Sequence, residues 1–390
     1  MPSYARLLPL VKAVCPFLRA TQAANWTWLV VALLTRRTLC LTTLAKAFPR
    51  PPTRRTAAPK HELLHRLKRL SRFLSNDQVD PIALQVAFIP TVVARLGTPR
   101  QLGLVLDWTS FDTKLLGLTG GGRRPYQVLT IAIPRRGRAL PLLSVTYERD
   151  KLPAKGSQNK WEEEALAHVL RALPLGVRPV VLGDRAFGRA EFIAWLQKRE
   201  VDYVLRLKRG ARITEADDRY WLLGTEGTRV GEQRWLAQVR YGTFNNRPRA
   251  LTINLACSWC LPAERRRDKK GKEYQEPWYL ATSLGSLREA VAWYRQRMWV
   301  EETFKDFHSG FGLDATRVSN AGRLGRLVAA LTLAVAWLHL LALPEVGLVA
   351  RSWAASVVTY GRASSVSLAL AWLDAHDGLP ATLLALPRAA

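Results

Sequence analysis

Three acidic side chains carry the first chemical suggestion in this sequence. Asp107 follows the apolar run LGLVL and Asp184 follows RPVVLG, so each is read as ending a buried strand. A carboxylate there is held rigidly at the lip of a sheet, where ligands of open α/β folds collect. Either aspartate taken alone reads equally well as a strand-end cap. Glu301 is the third acid, within YRQRMWVEETFKDFHSGFG, residues 294–312. On an uninterrupted helix, Tyr294, Arg297, Glu301, Lys305 and His308 fall within about 80° of one another, forming one polar stripe. A stripe of that kind is ordinarily a solvated face. Three carboxylates brought together, however, repel unless cations lie between them, and hard divalent ions take oxygen ligands. Two such ions can activate water and stabilise the leaving oxygen of an in-line displacement at phosphorus.

The charge balance points to the substrate for that chemistry. The 390 residues hold 58 Lys plus Arg against 31 Asp plus Glu, a formal net of +27. That excess repels itself in a folded chain unless a polyanion screens it, so nucleic acid is the first partner to consider and an anionic membrane surface the competitor. Hydrophobic residues at 48% and charged residues at 23% exclude a disordered chain and indicate a large globular core. The excess is concentrated at the start. Residues 1–76 contain 14 Lys and Arg and one acid, Glu62, so 14 − 1 = +13. Within this basic module, KHELLHRLKRLSRFLSN (60–76) sets Leu63, Leu67, Leu70 and Leu74 on one helical stripe and Arg66, Arg69 and Arg72 on another. The arginines either follow a DNA backbone or solvate an outer face.

The elements that must position the acids follow from periodicity and turn residues. Four prolines in FPRPPTRRTAAP (48–59) end the first helical region. From Leu102 three strands follow as hairpins, LGLVLDW, YQVLTIAIP and ALPLLSVTY, and then helix WEEEALAHVLRAL, strand RPVVLGD, helix RAEFIAWLQKR and strand VDYVLRLKRG. That order predicts an α/β fold, a mixed sheet with flanking helices. Residues 212–277 interrupt it with a strand-rich insertion and the basic loop ERRRDKKGKEYQE. The run LVAALTLAVAWLHLLALP (327–344) is read as a buried core helix rather than a membrane span. Cys257 and Cys260, three apart on a strand, face opposite ways, and Cys15 and Cys40 show no paired spacing. All four are read as buried free thiols in a reducing cytoplasm.

Together these residues resemble a family. The order strand-Asp, strand-Asp, helix-Glu is similar to the DDE transposases. More narrowly, it resembles bacterial insertion sequence family 4, which includes the transposon-five transposase. Tyr294, Arg297 and Glu301 match that family's Y-x-x-R-x-x-x-E spacing, Asp184 to Phe187 match its D-x-x-F, and DWTS matches the first aspartate's surroundings. RFLSN and SQNKWEEE also look like family text, and the resemblance covers roughly residues 60–340. The family's final Lys is replaced by His308, whose imidazole is largely neutral at pH 7 where an amine is charged. Lys305, one turn earlier, is then expected to supply the missing cation.

The resemblance implies a ribonuclease-H-like catalytic core at 79–343 with its insertion near 212–277. A helical basic DNA-binding domain at 1–78 precedes it, and a short helical tail at 344–390 is a candidate dimerisation element. It implies that Asp107, Asp184 and Glu301 are catalytic and hold two Mg²⁺ ions, with Mn²⁺ a substitute. Tyr294, Arg297, His308, Lys305, Arg185, Arg206, Lys208, Arg66, Arg69 and Arg72 are expected to contact DNA, as is the loop around Arg265–Lys272 unless it is a solvated hairpin tip. Trp278 is expected to stack on a flipped base beside the cut, or else to be a core residue. The implied partners are double-stranded DNA, as terminal inverted repeats and target, and a second copy in a synaptic homodimer. No membrane is expected, and the setting would be a bacterial cytoplasm at the nucleoid. The implied activity is cut-and-paste transposition through a DNA hairpin. The alternatives are a ribonuclease-H-like nuclease without joining and an inactive DNA-binding repressor.

Overall fold

The computed structural model describes residues 2–49, 59–114, 123–135, 137–151, 157–215, 220–224, 228–229, 231–242, 251–259, 276–342, 365–376, 379–380 and 384. Six helices come first: α1 (Pro2–Val14), α2 (Ala20–Arg36), α3 (Leu41–Ala47), α4 (Pro59–Leu74), α5 (Pro81–Val86) and α6 (Ile89–Arg95). Asp80 caps α5 by accepting from the Ile82 N–H at 2.8 Å. The strands β1 (Gln101–Lys114), β2 (Arg123–Arg135) and β3 (Arg138–Glu148) then form an antiparallel meander. The chain crosses through α7 (Ser157–Ala172) to β4 (Arg178–Gly183), and through α8 (Ala190–Gln197) to β5 (Asp202–Arg206). The strands β6 (Arg212–Thr214), β7 (Tyr220–Leu222), β8 (Gln233–Tyr241) and β9 (Leu251–Ser258) fall in the predicted insertion. After β10 (Trp278–Thr282) come α9 (Leu287–Gln296), α10 (Trp299–Lys305), α11 (Ala321–Ala342) and α12 (Ser365–Ala375).

All ten strands belong to one mixed sheet in the order β3-β2-β1-β4-β5-β10-β9-β8-β6-β7. The insertion is thus an extension of the sheet, joined through the antiparallel pairs β5–β10 and β10–β9. Two parallel pairs sit at its centre, β1–β4 and β4–β5. At their centres these strands are apolar, as burial on both faces requires: Leu104, Val105, Leu106, Val180, Val181, Leu182, Val204 and Leu205 are all inaccessible to solvent.

The apolar run at 327–344 is the core helix α11, which packs along β3 and against α2, α5 and α12. It is long and apolar enough to cross a membrane, yet it is enclosed by the fold along its length. Truncating a leucine such as Leu331 to alanine there costs about 2–5 kcal/mol. Arg326 on this helix is 4% exposed because its guanidinium meets the carbonyls of Leu74 and Val79 and the carboxylate of Asp77, fastening the end of α4 to the body. Of the cysteines, Cys15 and Cys257 are buried as expected, whereas Cys40 is exposed where it precedes α3. Cys260 lies outside the described residues.

Two local expectations need correction. The first strand does not end at Asp107; β1 continues to Lys114, paired with β2 throughout. What ends near Asp107 is the parallel partner, since β4 pairs with β1 only as far as Val105↔Leu182. Asp107 therefore lies just beyond β4, and Asp184 follows β4 directly. The late helix is also not continuous. Val300 and Glu301 donate to Arg297 and Met298, three residues back, tightening the chain between α9 and α10. After Lys305 the turn at Asp306–Gly310 is π-helical, with Phe311 donating to Asp306 at 2.9 Å. An angular projection at 3.6 residues per turn fails across both irregularities.

Candidate active site

The three acids arrive from three elements and meet on one side chain. Arg297, between α9 and α10, sets Nη2 at 2.8 Å from Asp107 Oδ2 and 3.6 Å from Asp184 Oδ2, while its Nη1 lies 3.0 Å from Glu301 Oε1. Asp107 is the deepest of the three, with its side chain 12% exposed against 36% for Asp184 and 47% for Glu301. Burial pushes the Asp107 carboxyl up to about 6, although Arg297 and the Trp108 N–H both favour its ionised form. That N–H donates to Asp107 Oδ1 at 2.8 Å, and the Ala186 N–H donates to Asp184 Oδ1 at the same distance. Both aspartates are thus oriented by backbone donors on one oxygen and turn the other toward the guanidinium.

The loop after β4 fits here because of Gly188. A Cβ at that position would stand 2.2 Å from the Arg206 carbonyl oxygen, so only glycine lets the loop lie against β5. Arg206 and Arg185 then share Glu276, at 3.4 and 2.5 Å. Beside them a cavity of about 350 Å³ is lined by Asp184, Arg185, Arg206, Trp278, Tyr294, Arg297 and Met298. The Trp278 and Tyr294 rings meet edge to face, 5.0 Å apart and inclined by 72°. Tyr294 is 3% exposed, so the stripe at this end is no solvated face. Burial raises the Tyr294 phenol, and the hydroxyl is hydrogen-bonded with Arg206.

The far end of the stripe goes elsewhere. Lys305, 66% exposed, is ion-paired with Glu302 rather than aimed at the acids. His308 is a strut: its Nδ1 and Asp314 Oδ1 are 2.7 Å apart, and its Nε2 and Thr109 Oγ1 are 2.7 Å apart. With Nδ1–H donating to the carboxylate, Nε2 accepts from the Thr109 hydroxyl. Lys208 is exposed beyond β5 and does not line the cavity. The loop around Arg265–Lys272 lies outside the described residues.

The arginines of α4 lie apart from the acids, in a cleft of about 710 Å³ that Arg66, Arg69 and Arg72 line with His65, Lys68 and Asn25. Arg66 is ion-paired with Glu62 and donates to the Lys46 carbonyl, and Arg69 Nε donates to Asn25 Oδ1 at 2.7 Å. Arg72 is exposed.

One acid escaped the sequence reading. Glu162 on α7 is 1% exposed, with Oε1 accepting from Trp108 Nε1 at 2.8 Å and Oε2 from Arg189 Nη2 at 2.6 Å. A signal existed: Glu162, Ala165, Leu166 and Val169 recur at helical spacing, and all four are buried, so Glu162 stands on an apolar stripe.

A family model described as the transposase DDE domain matches residues 99–337, well over half of the chain and all three acids. The chain belongs to this family. It is a DDE transposase, and DDE transposases typically use divalent metal ions. Among solved structures, the piggyBac transposase synaptic complex with hairpin DNA aligns over 95% of this chain and 76% of that chain, at 9% identity and a TM-score of 0.38. No curated protein matches the sequence.

The transposase's acids suit such an ion by donor type, since carboxylate oxygens are the hard ligands that Mg²⁺ takes. Among the described residues, however, no group of three or more His, Cys, Asp or Glu side chains is gathered to hold a metal ion. Arg297 is the cation that the three carboxylates share here.

Proposed function

We propose that this transposase moves DNA by a cut-and-paste route of the insertion sequence family 4 kind, with Asp107, Asp184 and Glu301 as its catalytic acids. The observation that carries the reading is their convergence, from β1, the end of β4 and α10, on a single cation. The order β3-β2-β1-β4-β5, three strands antiparallel and two parallel, supports a ribonuclease-H-like core. That core spans 79–343 and includes the insertion near 212–277. It sits between a DNA-binding domain at 1–78 and a tail at 344–390.

In this reading the three carboxylates would hold two Mg²⁺ ions, or Mn²⁺ in their place, supplying an activated water and charge neutralisation at phosphorus. The chain's own groups do the rest. Asp107 and Asp184, each fixed by a backbone N–H, keep one oxygen directed to the centre of the site. Arg297 and Tyr294 grip the phosphate backbone of the element end. Trp278, half-buried above Tyr294, offers a face to an unstacked base, and Arg206 and Arg185 line the same cavity. Water exposes a 3′-OH at the element end, that hydroxyl closes a hairpin on the opposite strand, and water reopens it. The freed 3′-OH then joins target DNA. All four steps are in-line displacements, so one pocket serves them. Relatives that cut in trans imply a homodimer, and double-stranded DNA is the substrate throughout.

The test is direct. Purified protein with Mg²⁺ and a labelled duplex of the element's terminal inverted repeat should yield hairpins and joined products. Glu301→Gln, at an exposed position, should melt like the wild type and lose cleavage by more than the about 10–100-fold that an outer partner of a metal ligand costs. Nicked duplex with neither hairpin nor joined product would mean a nuclease. Binding without any cutting would mean a repressor.

A further inference from the structure

Glu162 has no part in the chemistry described so far, yet it touches the supports of both aspartates. One of its oxygens accepts from the Trp108 indole N–H, and the backbone N–H of that same residue orients Asp107. The other meets Arg189, whose second guanidinium nitrogen donates at 2.6 Å to the Ala186 carbonyl, and the backbone N–H of Ala186 orients Asp184. One buried carboxylate thus forms the junction of two short chains of hydrogen bonds, one ending on each aspartate. Strand pairing does not join β1 to the loop after β4 at this level, because β4 pairs with β1 only up to Val105, although Arg297 also bridges the two aspartates.

The physics favours a purpose for this junction. Burial raises the Glu162 carboxyl, while Arg189 and the Trp108 N–H favour its ionised form. A helix position among Ala165, Leu166 and Val169 would be filled at less cost by leucine, so a carboxylate there is expensive unless its bonds to Trp108 and Arg189 matter. The indole donor is fixed in turn by packing, its ring 5.6 Å from Tyr147, which lies 4.9 Å from Trp161.

We infer that Glu162 is a positioning residue that fixes Asp107 and Asp184 relative to each other, and so tunes how well the pair would hold a divalent cation. Acting through Trp108 and Arg189, it sets metal affinity and turnover without touching DNA. The inference rests on the assignment of Asp107 and Asp184 as metal-holding acids.

The experiment uses the full-length protein and Glu162→Gln, which keeps the shape and one acceptor but turns an amide toward Arg189. Mn²⁺ binding is followed by electron paramagnetic resonance, with cleavage of the labelled element end, DNA affinity and thermal melting measured in parallel. Mn²⁺ binding should weaken by about tenfold and maximal cleavage fall by about 10–100-fold, at unchanged DNA affinity. Wild-type Mn²⁺ affinity and cleavage in Glu162→Gln, or losses that match its unfolded fraction, would overturn the inference. Should that variant fail to fold, Trp108→Phe removes the indole donor while keeping an aromatic ring; weakened Mn²⁺ binding there, at unchanged melting, supports the inference and unchanged binding overturns it. A wild-type protein that neither binds Mn²⁺ nor cuts DNA would instead overturn the functional reading, and this inference with it.

Discussion

Arg297 and Asp107 form a nearly buried ion pair, Nη2 to Oδ2 at 2.8 Å, with side chains 10% and 12% exposed. The pair joins a position just beyond β4's reach along β1 to the junction of α9 and α10, 190 residues later. It sets a stringent condition on the site. A guanidinium bonded to Asp107 and Glu301 uses the same oxygens that a divalent ion would use, so the two cations compete.

Arg297→Gln is therefore expected to bind Mn²⁺ more tightly than the wild type in the absence of DNA. Losing one charge-assisted bond of about 1.5–3 kcal/mol corresponds to about tenfold or more in affinity. Cleavage should fall all the same if Arg297 grips the phosphate backbone as proposed. A Mn²⁺ titration of the DNA-free protein is the check, and equal or weaker binding would contradict the competition.

Lys305 and His308 separate cleanly. Lys305 pairs with Glu302 at the surface, so Lys305→Ala should change stability by less than about 1 kcal/mol and leave cleavage near wild type. His308 ties Thr109, two residues from Asp107, to Asp314. His308→Ala breaks both bonds and should lower cleavage by about tenfold or more, as loss of an orienting partner does. Parallel cleavage assays of the two variants decide this.

The cleft on α4 makes a salt-dependent prediction. Arg72 is exposed, whereas Arg66 and Arg69 are also bonded to the protein. Arg72→Ala should leave melting unchanged and reduce the slope of log affinity against log salt by about 1, the signature of one lost phosphate contact. Measured binding across a salt series gives that slope.

Acid stability should depend on His339. It is buried in α11, its Nε2 without a hydrogen-bond partner among the described residues, and burial lowers its imidazole from 6.5 to about 3. The unfolded chain then binds the extra proton between those values, so stability is full above pH 6.5 and falls as pH drops, by about 1.4 kcal/mol per unit. Asp107 and Asp306, both raised by burial from 3.8 to about 6, act oppositely: their native forms keep protons longer, and that stability is lost as pH rises through about 6. Comparing wild type with His339→Leu cancels the aspartates. The variant's melting temperature should decline less between pH 6.5 and 4 than the wild type's, and parallel curves would refute the assignment.

Residue order and periodicity are enough to assign the local elements and the chemical types at the site. Apolar runs that must be buried made β1, β4, β5 and α11 legible, because burial on all sides leaves a continuous hydrophobic signature. The acids at 107, 184 and 301 stood out because each follows or shares an element with a clear period. How far the stripe on 294–308 holds together depends on the packed fold. Its first half reaches the acids, whereas Lys305 pairs with Glu302 at the surface and His308 is bonded to Thr109 and Asp314; the tightened junction and the π turn along the way are settled by packing and leave no periodic mark. The structure alone likewise brought Glu162 to Trp108 and Arg189, since a hydrogen bond between α7 and β1 depends on how two elements dock, and neither segment encodes that distance within itself.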